Sequence, residues 1–168
     1  MTTINGLPAH ILLVHAIVVL LPLSSFLLLL TSLWPKARNK LAAPNAVLAV
    51  IAVILVPITT DAGEWLERRV ARTPLVRTHT ELGDTSLYVA IPVAVLALIV
   101  WWRQRESTTS PRRTFLAPAL TPVTIVIAVL AVLAAGAASY DVYRIGDSGA
   151  QASWQGQFTA NPTLPAGR

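Results

Sequence analysis

The chain contains three histidines, and each of them lies near the start of an apolar stretch. His10 and His15 begin the first stretch, and His79 lies shortly before the third. A chain that crosses a membrane repeatedly returns these two starts to the same side. Imidazole binds metal ions and haem iron, and ionisable groups at membrane depth usually mark a functional site. The spacing therefore predicts a histidine site at one end of a helical bundle.

Helical geometry limits which histidines can act together. His15 follows His10 by five residues, which places it about 7–8 Å further along a helix and about 140° around it. The two therefore cannot hold one ion from a regular helix, and each needs a partner from another span. We expect His79 to be the partner of His15, with Asp61 or Asp141 as a supporting carboxylate.

Two kinds of site are compatible with these residues. Haem b would be bound by His15 and His79, and a divalent or copper ion is a second possibility, because imidazole suits such metals. The candidate ligands of that ion are His10, His15, His79 and Asp61. The competing interpretation is that the histidines are neutral side chains bonded to neighbouring helices. We predict no catalytic residue, since no phosphate-binding glycine loop, nucleophile elbow or zinc-protease motif is present, and a non-enzyme is favoured.

The amino-acid composition indicates whether these residues lie in water or in a membrane. The chain has 168 residues, of which 54% are hydrophobic and only 12% are charged, about half the charged share of a soluble domain. A lipid bilayer is therefore the expected surrounding. The absence of cysteine excludes disulfides, thiolate metal sites and iron–sulfur clusters. The net charge is +5, and the charged residues lie mainly between the apolar stretches. This placement argues against binding of nucleic acid.

Four apolar stretches approach the roughly 20 residues that a membrane-spanning helix needs. We predict an all-α, four-helix transmembrane bundle over residues 1–150, followed by a flexible polar tail at 151–168. The predicted spans are residues 11–33, 42–60, 85–102 and 115–138. Membrane-spanning strands are not expected, because the alternation of a membrane barrel is missing.

The distribution of basic residues predicts the orientation. The segments 35–40 and 103–114 contain seven cations and a single acid, Glu106. Short basic loops stay in the cytoplasm, so the N-terminus and the C-terminus are both expected outside a plasma membrane. The histidine site would then lie on the outer side.

Capping signals predict where the helices begin. Thr78 and Glu81 match a capping box, which makes His79 the first helical residue of the third span. Pro8 and Pro44 suit the first turns of the first and second spans. Prolines also fall inside the first three spans, at Pro22, Pro57 and Pro92.

Several short motifs accompany one another along the chain, and together they resemble a family of bacterial membrane proteins, domain of unknown function 2231. The motifs are the run from Leu7 to His15, the segment from Thr60 to Gly63, the segment from His79 to Gly83, and the segment from Gly146 to Ala150. The resemblance covers most of the chain and implies a four-span unit in the bacterial plasma membrane. It also implies redox work beside respiratory-chain or other membrane proteins. One departure is Asp147, which stands where the family pattern has a histidine.

Two functions follow as hypotheses. The first is a small redox protein that binds haem b or a metal ion through the histidines. The second is a non-enzymatic subunit that supports or anchors a membrane complex, with the histidines as polar contacts between helices.

Overall fold

A computed structural model describes residues 3–109 and 121–157 of the chain. A short hairpin precedes five helices, and its strands, β1 (Thr3–Ile4) and β2 (Leu7–Pro8), have two residues each. The helices are α1 (Ala9–Leu33), α2 (Pro35–Glu67), α3 (Pro74–Gly83), α4 (Ser86–Thr109) and α5 (Thr121–Trp154). Four segments are long and apolar enough to cross a membrane, containing α1, α2, α4 and α5. The predicted four-span helical architecture is therefore confirmed.

The four long helices form a closed ring. Helix α1 packs against α2 and α5, and α4 packs against the same two helices from the opposite side. The short α3 lies across one end of the ring, against α5 and α2. We call this end, where α1 begins and His10 lies in its first turn, the histidine end. The other end, where α1 stops and α2 begins near Arg38, is the arginine end.

Small side chains allow the helices of the ring to approach closely. Alanines line the inward faces of three helices and are almost completely buried: Ala46, Ala49 and Ala52 of α2, Ala90 and Ala97 of α4, and Ala131 and Ala138 of α5. Large apolar side chains point outward instead, as Val19, Phe26 and Leu133 do, each at least 60% exposed. Close approach of small residues drives helix association in lipid, and the outward apolar belt is the surface that lipid would cover.

Helix α2 is longer at both ends than predicted. It begins at Pro35 rather than near residue 42, and continues through Asp61 to Glu67. Pro35 occupies the first turn, where its missing N–H costs nothing. Pro44, predicted there, lies inside the helix instead. The segment 35–40 is thus helical rather than a loop. Pro22, Pro57 and Pro92 do lie inside helices, as predicted.

The capping box predicted at Thr78 is wrong. Helix α3 starts five residues earlier, because Thr73 accepts a hydrogen bond from the Val76 N–H at 3.2 Å and Pro74 follows it. A threonine cap before a proline at the first position is a strong start signal. His79 therefore lies in the middle of a separate short helix and not at the start of the third span.

Helix α4 continues to Thr109, seven residues beyond the predicted end of the third span at 102. The other differences lie near the two chain ends. Asn5 and Gly6 both have positive φ and form the tight turn of the N-terminal hairpin, as an Asn-Gly pair favours. Pro8 therefore ends β2, and α1 starts after it. The segment from Gly146 to Gly149 is helical, and α5 continues to Trp154. The start of the predicted fourth span and most of the predicted tail lie outside the described residues. Which side of the membrane each end of the bundle faces stays a prediction.

A polar clamp joins α1 to α2 inside the bundle. Asn45 and Ser24 are both buried, with 1% and 0% of their surface exposed. With its amide nitrogen toward α1, Asn45 donates to the carbonyl and hydroxyl oxygens of Ser24 at 3.1 and 3.0 Å. Its oxygen then accepts from the Leu28 N–H at 3.2 Å. All polar atoms of the amide are thus used between two helices, as hydrocarbon surroundings require.

Replacing Asn45 by leucine, which has a similar volume, should lower the free energy of unfolding by about 1 kcal/mol, the usual size of a polar contact between membrane helices. Thermal unfolding in detergent micelles measures the loss. Asn39→Leu is the matched control, because Asn39 lies on the same helix but is exposed. An Asn45→Leu protein as stable as the wild type would show that the clamp does not hold α1 to α2.

Candidate functional site

His10 is held at the start of α1 by a carbonyl of α2. Its ring is half-buried, and Nδ1 lies 2.9 Å from the backbone oxygen of Thr59. A carbonyl oxygen only accepts hydrogen bonds. We therefore assign the proton of the neutral ring to Nδ1, which leaves Nε2 of His10 with a free lone pair.

His79 is held in the same way from α3. Its Nδ1 lies 3.0 Å from Oγ of Ser148, a buried residue of α5. The Ser148 hydroxyl donates to the Ile145 carbonyl at 2.9 Å, so its oxygen accepts from His79. The proton again lies on Nδ1, and Nε2 of His79 also carries a free lone pair.

The two rings meet across an apolar cleft. The ring centroids of His10 and His79 are 6.2 Å apart, with an angle of 76° between the ring planes. Both side chains line a cleft of about 60 Å³. Its remaining walls are largely aliphatic and include Ile17, Leu21 and Val142. Two imidazole rings thus line a small space that has few competing polar groups.

Glycines make room for both rings. A Cβ on Gly63 of α2 would lie 2.9 Å from Nδ1 of His10. A Cβ on Gly149 of α5 would lie 2.9 Å from Cε1 of His79. Contacts this short are repulsive, so each histidine could keep its position only opposite a glycine. Gly63 and Gly149 therefore belong to the site, although they offer no functional group.

His15 does not join this pair. It lies on the exposed face of α1, and its Nδ1 bonds to the Ile11 carbonyl one turn earlier in the same helix. The expected pairing of His15 with His79 is therefore not the one that the structure contains, because His10 takes that place. The physical reason is the phase of α1, which turns His10 inward and His15 outward.

The carboxylates also lie apart from the histidines. Asp61 is exposed on α2, whereas Thr59 and Gly63 of that helix are the residues that contact His10. Asp141 is buried and accepts from the Thr85 hydroxyl at 2.8 Å. Its second oxygen has no partner within residues 3–109 and 121–157. Neither carboxylate is bonded to a histidine in that part of the chain.

Asp147, at the position where the resemblance led us to expect a histidine, is exposed on α5 and accepts a hydrogen bond from Gln151 at 2.8 Å. Its neighbour Ser148 is the residue that bonds to His79. The described part of the chain contains no group of three or more histidine and acidic side chains placed to hold a metal ion. Of the predicted ligands, the described structure brings together His10 and His79. The binding roles of all four predicted ligands, His10, His15, His79 and Asp61, stay predictions.

Comparison with known proteins gives one match. A family model described as "Predicted membrane protein (DUF2231)" matches residues 6–162. The resemblance inferred from the sequence motifs is therefore confirmed over most of the chain. The searches of curated proteins and of solved structures return no match.

The glycine beside His79 can be tested with a neighbour on the same helix. Gly149→Ala should displace the His79 ring, because the added methyl group would overlap Cε1. Gly146→Ala is the control, since its Cβ would meet no atom within 4 Å. Imidazole ¹⁵N spectra, assigned with His→Gln variants, should show the Nδ1-protonated form of His79 altered by the first change alone. Equal spectra for both variants would contradict the described packing.

Proposed function

The chain belongs to the DUF2231 family of predicted membrane proteins, and we propose that it binds a transition-metal ion between His10 and His79. The observation that carries this proposal is that two imidazoles face one cleft while both Nδ1 protons are already committed. Each ring thus offers Nε2, the nitrogen with the free lone pair. Neutral imidazole in this state is the form that binds copper, iron and zinc.

The separation of the rings suits one ion. A metal about 2 Å from the nitrogens of two facing imidazoles would place the ring centroids roughly 5–6 Å apart. The observed 6.2 Å is slightly larger, so binding would require the rings to move slightly inward with both Nε2 atoms directed at the ion. The cleft of about 60 Å³ also has room for water beside the ion. Water or an added ligand would fill the remaining coordination positions.

The hydrogen bonds behind the rings support the same role. Metal-binding histidines usually donate their second N–H to a backbone carbonyl, a carboxylate or a water molecule, which fixes the ring and raises its basicity. Thr59 supplies a carbonyl to His10, and Ser148 supplies a hydroxyl oxygen to His79. A pair of histidines that served only to join helices would not need to line one cleft together, each with its Nδ1 already bonded.

Haem b fits this site less well than a bare ion. Cavities for drug-sized ligands measure about 300–1,000 Å³, and the cleft between the histidines measures about 60 Å³. A macrocycle would have to separate α1 from α3 and α5. A bare ion needs no such opening, and we therefore propose the metal form of the redox hypothesis. An ion with open positions could exchange ligands or electrons with a partner protein in the membrane.

The metal proposal predicts a clear difference between the three histidines. His10→Ala and His79→Ala should each weaken Cu(II), Co(II) or Zn(II) binding by at least about tenfold, because each removes one of two protein ligands. His15→Ala should bind as the wild type does, since His15 lies on the outside of α1. Calorimetry on detergent-purified protein, with the visible spectrum of the Co(II) form, measures both.

The same samples test haem, through oxidised and dithionite-reduced spectra after expression with added haem. A reducible Soret band that depends on His10 and His79 would show that this pair binds haem rather than a bare ion. If neither metals nor haem bind, or if His15→Ala removes binding, the proposal fails. The structural-subunit hypothesis would then take its place.

Ser148→Ala tests the support behind His79. The hydroxyl contacts the ring and not the cleft, so its loss should lower metal affinity about 10–100-fold, as removal of such partners does. Ser153→Ala, an exposed serine of the same helix, should have no effect. Titrations of the two variants side by side provide the comparison, and equal affinities would show that Ser148 does not orient His79.

A further inference from the structure

A second polar site lies at the arginine end, about a bundle length away from the histidines. Arg38 of α2 donates from Nε to the Thr31 carbonyl and from Nη2 to the Ser32 carbonyl, both at 2.7 Å. These are carbonyls of the last turn of α1, which lack partners within their own helix. Arg38 thereby caps α1 and is held in one position.

Arg38 has N–H donors that the carbonyls of α1 do not use. A guanidinium group carries five N–H donors, and the α1 carbonyls use two of them. Within residues 3–109 and 121–157, no carboxylate forms an ion pair with Arg38. Its positive charge is therefore not balanced by an acid in that part of the chain.

A second arginine approaches the same place from α4. Arg103 is only 5% exposed, and it donates to the Thr124 hydroxyl of α5 at 3.0 Å, among its other contacts. Arg38 and Arg103 both line one small cavity, together with Ser32 and Thr124. Two cations on one cavity repel each other, and this repulsion is strong where water is scarce.

Among the described residues, one hydroxyl group that lines this cavity has no hydrogen-bond partner. Ser32 is 4% exposed, and its Oγ makes no hydrogen bond within the described residues. A buried hydroxyl group without a partner costs free energy. The cavity measures about 10 Å³, enough for roughly one water-sized atom. The lining thus offers two cations and a free hydroxyl to a single oxygen atom of a ligand.

We propose that this site binds a phosphate group, carried by an anionic phospholipid or present as free phosphate. One phosphate oxygen would enter the cavity and accept from Ser32, while the others would face the guanidinium groups. Guanidinium and phosphate match in geometry and form strong charge-assisted hydrogen bonds. The site lies at the end of the spanning helices, where headgroups lie and where basic pockets between helices bind them. Trp34 and Trp102, each at least half exposed, lie at the same end, as tryptophans at an interface do.

The test uses the full-length protein in a neutral detergent. Native mass spectrometry would measure binding of phosphatidylglycerol, of diacylglycerol, which has no phosphate, and of inorganic phosphate. We expect phosphatidylglycerol to bind at least about tenfold more tightly than diacylglycerol to the wild type. Arg38→Gln and Ser32→Ala should remove most of this preference. Arg105→Gln is the control, because Arg105 is exposed on the same helix as Arg103 and stacks on Trp101.

The outcomes separate the two sources of phosphate. Binding of phosphatidylglycerol alone assigns the site to a lipid, and displacement of that lipid by inorganic phosphate assigns it to the phosphate group itself. Both results support the proposal if they depend on Arg38 and Ser32. Equal binding of diacylglycerol, or equal losses in Arg38→Gln and Arg105→Gln, would overturn it. Ser32→Ala removes only a hydroxyl group that makes no hydrogen bond within the described residues. Its result therefore does not depend on whether the arginine variant folds.

Discussion

The tight turn between α1 and α2 is the constraint on which the rest of the structure depends. Trp34 alone separates the two helices, so they run back along each other in a fixed register. In three separate contacts between them the two residue numbers sum to 69: Thr31 with Arg38, Ser24 with Asn45, and His10 with Thr59. One turn therefore aligns the capping arginine, the buried clamp and the first histidine. In lipid, where polar groups must find partners inside the protein, a shift of this register would leave all three contacts unmade.

The sequence predicts the fold much better than it predicts the details of the site. The four spans follow from apolar length alone, and so does the meeting of helix starts at one end. Apolar length does not indicate which side of a helix faces its neighbours, because a lipid-facing side is apolar as well. For this reason the sequence favours His15 as a ligand, although the structure turns His10 inward and His15 outward. The short helix that carries His79 is missed because its start signal, Thr73 and Pro74, precedes a capping box that is not used.

One signal for the phase of α1 is present in the sequence. Ser24 is a polar residue in an apolar run, and such residues face other helices. His10 precedes it by fourteen residues, close to four helical turns, whereas His15 precedes it by nine, about two and a half turns. Ser24 and His10 thus share the inward face, and His15 lies opposite. Gly63, Ser148 and Gly149 fall inside the short motifs that carry the family resemblance. The sequence assigns them no role, because that role is defined only by the ring that packs against each of them.

Helix α3 differs from the rest of the bundle in how it is attached. None of its ten residues is fully buried, and residues 68–73 connect it to α2. Exposed positions tolerate substitution at little cost in folding free energy, usually within about 0.5 kcal/mol. The four-helix scaffold can therefore stay intact while this segment shifts. The distance between the rings of His10 and His79 thus depends on the placement of one short exposed helix, and not on the packing of the long helices alone.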